Sequence, residues 1–449
     1  MQFSLTTSFK ILVFASLLLL SGKITYGQTN SVSPFTVFGL GDLSEGYFAQ
    51  NFGIGGNSIA LRSPLFINIA NPASYTSIEY TTLETAISNK FIKQTVNGTN
   101  QSLNNQSTYF NYFGFGFKGT DWWGMSVSLS PYSFVGYNIF TTDSVADFGD
   151  LLYEFQGKGG VNQVVIGNGF EPFKNLSVGI NVRYLFGSYD KSDAVLFNNG
   201  KFYNAKRLST VGVSSFAFDY GVQYLYPLSE KFDFIVGGTM ANQINLNAIE
   251  SSLIYNYTYN NSGIEVPVDT VWADLDKPGK ITLPSKYGIG ASIGKKHQES
   301  EHYGWLLSGE FNATKWSKYS DINGESDGLT DSWRASVGGY FTPYYAFNRN
   351  RRSKSYLAKV EYRLGGFYEN TQVTIENSTV INYGFTAGFG LPFFLRNPAP
   401  GERKATFLNL GIVVGNKGNG QLNQINEQYV NLIFGITLGD QWFQKFKYR

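Results

Sequence analysis

The chain has 449 residues, a mass of 50.0 kDa, a formal charge of +2, no cysteine, two histidines, 17% aromatic residues and only 15% charged residues. Without cysteine there is no disulfide scaffold, cysteine zinc site or thiol catalysis, and the charged fraction lies far below the ~25% of soluble domains. No basic surplus marks a nucleic-acid partner.

Residues 1–27 have the form of a secretory signal peptide: Lys10, the apolar run Ile11 to Leu20, then Thr25-Tyr26-Gly27 ahead of Gln28. The run is too short to cross ~30 Å of hydrocarbon as a helix. Its removal also takes Lys10 and Lys23, which lowers the basic count from 35 to 33 and matches it to the 33 acids. No later stretch is apolar enough for a membrane helix. A closed barrel can still cross lipid, because its strands pair every backbone group and alternate apolar-out with polar-in. A mean hydropathy of −0.17 with many aromatics suits that solution.

Residues 28–79 do not alternate. They contain glycines at 39, 41, 53, 55 and 56 among Asn, Ser and scattered apolar residues, and they end in Asn71-Pro72-Ala73. Glycine permits close backbone approach, and the composition is not that of a disordered tail. The segment is expected to fill a lumen as a compact plug. Gly53, Gly55 and Gly56 lie in GIGGNS, which lacks the strand–loop–helix context of a phosphate loop.

From residue 80 onward the period is two. Leu176, Val178, Ile180, Val182 and Tyr184 alternate with Ser177, Gly179, Asn181 and Arg183; Phe216, Phe218, Tyr220 and Val222 alternate with Ala217, Asp219, Gly221 and Gln223. The same pattern sets Lys359, Glu361 and Arg363 on the inner face. The alternating runs exceed soluble strands and match the ~9–11 residues a membrane strand needs. Fourteen strands are predicted, near 80–97, 106–118, 122–141, 151–170, 175–187, 207–226, 231–248, 281–295, 302–317, 329–342, 354–369, 377–394, 404–416 and 428–442. The fold class is therefore all-β, a 14-stranded antiparallel transmembrane β-barrel with an N-terminal luminal plug. Long polar connections, the longest at 248–280, alternate with short turns. Outer-membrane barrels have long extracellular loops and short periplasmic turns, so both termini are expected in the periplasm.

Pro131 falls inside the third strand, in LSPYSFVGY (129–137). Proline cannot donate to a ladder, so the wall is expected to be locally unpaired there, with Gly136 adding slack. The reading leaves open whether this is a functional gap or a silent bulge. Two turns hold the remaining notable side chains. His297 and His302 sit beside Lys295, Lys296, Glu299 and Glu301 and read as a solvated turn. Pro343 to Ser353 carries Arg349, Arg351 and Arg352, a solvated turn or a contact for anionic headgroups or a periplasmic partner. No catalytic, metal or cofactor site is expected, and no enzyme.

Asn71-Pro72-Ala73 after a glycine-rich stretch, ahead of fourteen strands, resembles the FadL/TodX-type (OMPP1-like) outer-membrane transporters of hydrophobic compounds, in divergent form. The resemblance implies a hatch at 28–79 ahead of a barrel at 80–442 and a short periplasmic tail at 443–449. It implies gate residues Gly53, Gly55, Gly56, Asn71, Pro72 and Ala73, and an inward kink of the third strand that opens the wall at Ser130, Pro131, Tyr132 and Gly136. Arg62-Ser63-Pro64 departs from the family pattern, where an acid is expected, and so does the tail beyond Trp442-Phe443. Two functions stay open. One is passive uptake of a hydrophobic molecule or fatty acid. The other is a non-transporting subunit of a secretion (type IX-like) or barrel-assembly machine, with outer-membrane lipid and other outer-membrane or periplasmic proteins as partners. The charged inner faces weigh against a greasy conduit.

Overall fold

The computed structural model describes residues 32–440 apart from 45, 100, 147, 198–200, 297–302, 345–354, 394–403 and 423. The signal segment 1–27, His297, His302, Arg349, Arg351, Arg352, the 395–403 connection and the tail 443–449 lie outside the described residues. Among the described residues no helix is long and apolar enough to cross a membrane.

The chain begins with a non-periodic stretch holding a two-residue strand β1 (Asp42–Leu43), a helical turn α1 (Ala49–Phe52) and a 3-10 turn at Pro72–Ser77. The wall follows: β2 (Thr81–Val96), β3 (Ser102–Thr120), β4 (Trp123–Val145), β5 (Gly149–Phe173), β6 (Leu176–Phe197), β7 (Asn204–Pro227), β8 (Phe232–Ala241), β9 (Ile244–Tyr259), β10 (Glu265–Leu283), β11 (Lys286–Lys296), β12 (Tyr303–Thr314), β13 (Ser332–Phe341), β14 (Glu361–Ile375), β15 (Ser378–Pro392), β16 (Lys404–Gly418) and β17 (Ile425–Asp440). β8 and β9 both pair with β7 and form one stave broken at 242–243. β10 and β11 pair with β9 and β8 and form another, broken at Pro284-Ser285, where proline has no donor to offer. The sixteen wall segments β2–β17 thus make fourteen antiparallel staves, the predicted number. β17 pairs with β2 from Ile425↔Val96 to Asp440↔Thr81, so the first and last staves join and the ring closes.

The alternation maps onto the two faces as read. Phe216, Phe218, Tyr220, Val222 and Tyr224 are exposed on the outer wall, whereas Asn181, Ser215 and Gln223 are buried inside. Glu361 and Arg363 face inward and pair at 2.7 Å, but Lys359 stands in a 3-10 turn (Leu357–Lys359) ahead of the stave.

The connections differ from expectation. Residues 248–280, read as a loop, continue the wall: β9 and β10 pair from Ile244↔Leu283 to Tyr259↔Glu265, with three register shifts. Polar residues and bulges hide period two here, yet the backbone ladder persists. The staves β4–β10 therefore rise above the rest of the wall at the end opposite Thr81 and Asp440. Their inner faces form a core with the β12–β13 connection, in which Val135, Leu185, Leu246 and Ile281 pack against Trp316 and Tyr319.

Candidate functional site

The inward positions of many staves are glycines, and the N-terminal segment lies against them. A Cβ at Gly179 would overlap Pro72 and Ala73, one at Gly221 would overlap Asn71, and one at Gly338 or Gly365 would overlap Ile54. Only the absence of side chains at these levels leaves room for a second chain segment inside the ring.

Buried polar groups then fix the segment. Asn71 caps the 3-10 turn: its Oδ1 accepts from the Ala73 N–H at 3.1 Å, and its Nδ2 donates to the Ile59 carbonyl at 2.8 Å. Pro72, lacking an N–H, suits the first position of that turn. Gln223 Nε2 donates to the same Ile59 carbonyl at 2.8 Å, and Asn181 Nδ2 donates to the Ile69 carbonyl at 2.8 Å. Glu310 accepts from the Ser58 and Ile59 N–H groups at 2.7 and 3.0 Å, and Glu84 accepts from the Ile67 N–H at 2.9 Å. Gly55 N–H donates to Thr386 Oγ1 at 2.8 Å, while its carbonyl accepts from Arg334. Gly53, Gly56 and Ala73 are buried in the same set. Arg62, where an acid was expected, donates to Ser177 Oγ and Thr76 Oγ1 and lies 3.9 Å from Glu171. Burial pushes its guanidinium pKa down, and Glu171 opposes the shift.

The wall is discontinuous at the predicted proline. β3 pairs with β2 up to Ser102↔Thr95, and β4 pairs with β5 up to Val145↔Gly149. β3 and β4 pair with each other only from Thr120↔Trp123 to Phe113↔Leu129. The ladder therefore stops two residues short of Pro131, and Tyr132 bulges out of register with β5. β1 takes over the freed edge of β4, with Asp42 opposite Phe134 and Leu43 opposite Ser133. The Ser44 N–H donates to the Tyr132 carbonyl, the Ser33 N–H donates to the Gly136 carbonyl, and the Gly136 N–H donates to Thr36 Oγ1. Gly41 makes this approach possible, because at φ +88° any Cβ would overlap the Phe134 carbonyl. Ser130 accepts from Gln163, which in turn accepts from Arg183 at 2.9 Å, and Arg183 pairs with Asp219.

A cavity of about 390 Å³ lies between the N-terminal segment and the wall at this level. Tyr132 and Phe134 line it, together with nine charged side chains: Asp42, Asp219, Glu310, Glu369, Lys90, Arg183, Lys286, Arg334 and Lys417. Lys417 Nζ donates to Asp42 at 2.8 Å. Burial raises the Asp42 pKa, but Lys417 and Lys90 outweigh it and hold the carboxyl below its ordinary value. Arg334 lies over the Phe367 ring at 4.0 Å and 3.7 Å from Glu369. Sequence reasoning missed Glu84, Glu310, Arg334, Lys417 and the strand β1. Each charge sits at an inward position of an alternating run, a signal that says "lumen" without saying which partner it meets.

A family model described as BamG matches residues 9–449. No curated protein matches the chain. Among solved structures, the Ralstonia pickettii toluene transporter TbuX aligns at TM-score 0.53 and 12% identity, over 89% of this chain and 99% of that one. A Pseudomonas aeruginosa FadL homologue aligns at 0.51 and 12%, over 88% and 98%, and the P. putida toluene transporter TodX aligns at 0.51 and 12%, over 90% and 100%. At that identity the likeness establishes the fold, that of FadL-type outer-membrane barrels.

Proposed function

The chain belongs to the BamG family, and we propose that it acts as a partner-binding subunit of an outer-membrane machine for barrel assembly or secretion. The Bam name of the family agrees with this reading, and the barrel interior carries it. Residues 32–79 act as a plug held by buried carboxylates and amides, and the space left over is lined by nine charges. A hydrophobic cargo would have to strip those charges of their partners, at several kcal/mol for each buried ion left unpaired. The tall staves face the outside and the wall's ends at Thr81 and Asp440 face the periplasm, following the rule of long extracellular and short periplasmic elements.

The break between β3 and β4 supports a second reading, uptake of a hydrophobic molecule or fatty acid. In it the ligand passes the gate of Gly53, Gly55, Gly56, Asn71, Pro72 and Ala73 and leaves through the wall at Ser130, Pro131, Tyr132 and Gly136. Purification from its own outer membrane in mild detergent separates the two. Outer-membrane proteins recovered in stoichiometric amount support the subunit. A lone barrel that carries bound apolar ligand supports uptake and overturns it.

A further inference from the structure

The outer wall carries apolar residues where lipid would meet it, but β10 exposes them where no lipid reaches. A strand rises ~3.3 Å per residue, and a tilt of ~40° leaves roughly 2.5 Å per residue along the barrel axis. The apolar band of such barrels is ~25 Å tall, which the eleven residues of β11 already span. Leu275 lies eleven residues beyond Lys286 along the same stave, roughly 25 Å above the band by that rise. Yet Ile264, Val266, Val268, Val271, Trp272 and Leu275 are 41–63% exposed. A contiguous exposed apolar patch in water marks an interaction site.

β10 is also an edge at this height. It pairs with β9 on one side. On the other, among the described residues, its one backbone partner is Ser320 at Thr282. The row from Val268 to Lys277, bounded by Pro267 and Pro278, has no strand beside it. Unpaired strand edges are templates for another strand. Asp269 and Asp274 have no cation within 4 Å among the described residues, and Asp276 accepts only from Ser251. A second copy laid antiparallel would bring the same carboxylates together.

We propose that β10 between Val268 and Lys277 receives a lysine- or arginine-bearing edge strand of another cell-surface protein by strand addition. Backbone pairing supplies the register, Val271, Trp272 and Leu275 the apolar contact, and Asp269 and Asp274 the charge that selects a basic strand. The inference rests on the reading of a partnered barrel and adds where one partner sits.

The test is a photo-crosslinking amino acid at Val268 of the full chain in intact cells, with the adduct mapped by mass spectrometry. The expected adduct joins one protein at a strand flanked by Lys or Arg. It is lost in Val271→Lys/Leu275→Lys and weakened in Asp269→Lys/Asp274→Lys, while both variants keep heat-modifiable migration. Adducts only to lipopolysaccharide, only to a second copy of the chain, or to nothing overturn the proposal. So does an adduct that survives both variants. If mild-detergent purification of the Val271→Lys/Leu275→Lys variant still recovers the full set of partners, docking at β10 falls and the subunit reading stands. If the wild type recovers none, the subunit reading falls with it.

Discussion

Asp42 joins the N-terminal segment to the far wall. Its carboxyl meets Lys417 at 2.8 Å across the lumen, 375 residues away in sequence. Its pKa is held below the ordinary value, so the contact stabilises the segment above the unfolded carboxylate pKa of about 3.9. That contribution is lost as pH falls through the lower folded value. Hydrogen exchange of residues 33–44, corrected for intrinsic rates, should therefore be slow at pH 7 and accelerate only once the pH falls below the ordinary carboxylate value. Asp42→Asn should exchange fast at pH 7 and show little further change on acidification. Equal exchange in wild type and variant at pH 7 would remove the tether. Nothing local announces this pair: Asp42 stands in an irregular stretch, and Lys417 is one more inward charge on an alternating strand. Pro131, by contrast, was legible alone, because a missing N–H inside a strand is a local fact with a local consequence.

β1 has two residues, yet it occupies the edge of β4 that β3 leaves after Phe113↔Leu129. Within lipid an unpaired edge costs several kcal/mol for each unsatisfied group, so covering it from inside is the economical solution. Ser44→Pro removes the N–H that donates to the Tyr132 carbonyl and bends the segment away from β4. Entry of a hydrophobic fluorescent probe such as N-phenylnaphthylamine should then rise several-fold in cells, with barrel folding unchanged. An unaltered signal would mean that the segment seals the wall by bulk and not by pairing. A strand this short has no period to detect, which is why the sequence reading found the break and not its cover. The same limit applies to β9 and β10, where mixed polarity and three register shifts masked a continuous ladder and left its exposed edge unforeseen.

The whole ring is held by its closing ladder. β17 and β2 pair along their full length, so no stave can leave without opening every neighbour. Such a wall should resist cold detergent. On a gel, unheated protein should migrate ahead of boiled protein, and a chain lacking β17 should migrate alike in both. Identical mobility of the wild type with and without heating would contradict the closed wall. Strand number, the two faces and the position of Pro131 were readable from residue order alone. Each rests on spacing between near neighbours, and a period of two has only one structural meaning over runs this long. Which inward glycines accept Asn71 and Pro72, which carboxylates hold Ser58 and Ile67, how Asp42 finds Lys417 and why β10 stands unpaired were decided by closure. Those contacts join residues that only the curvature and stagger of a completed ring bring together.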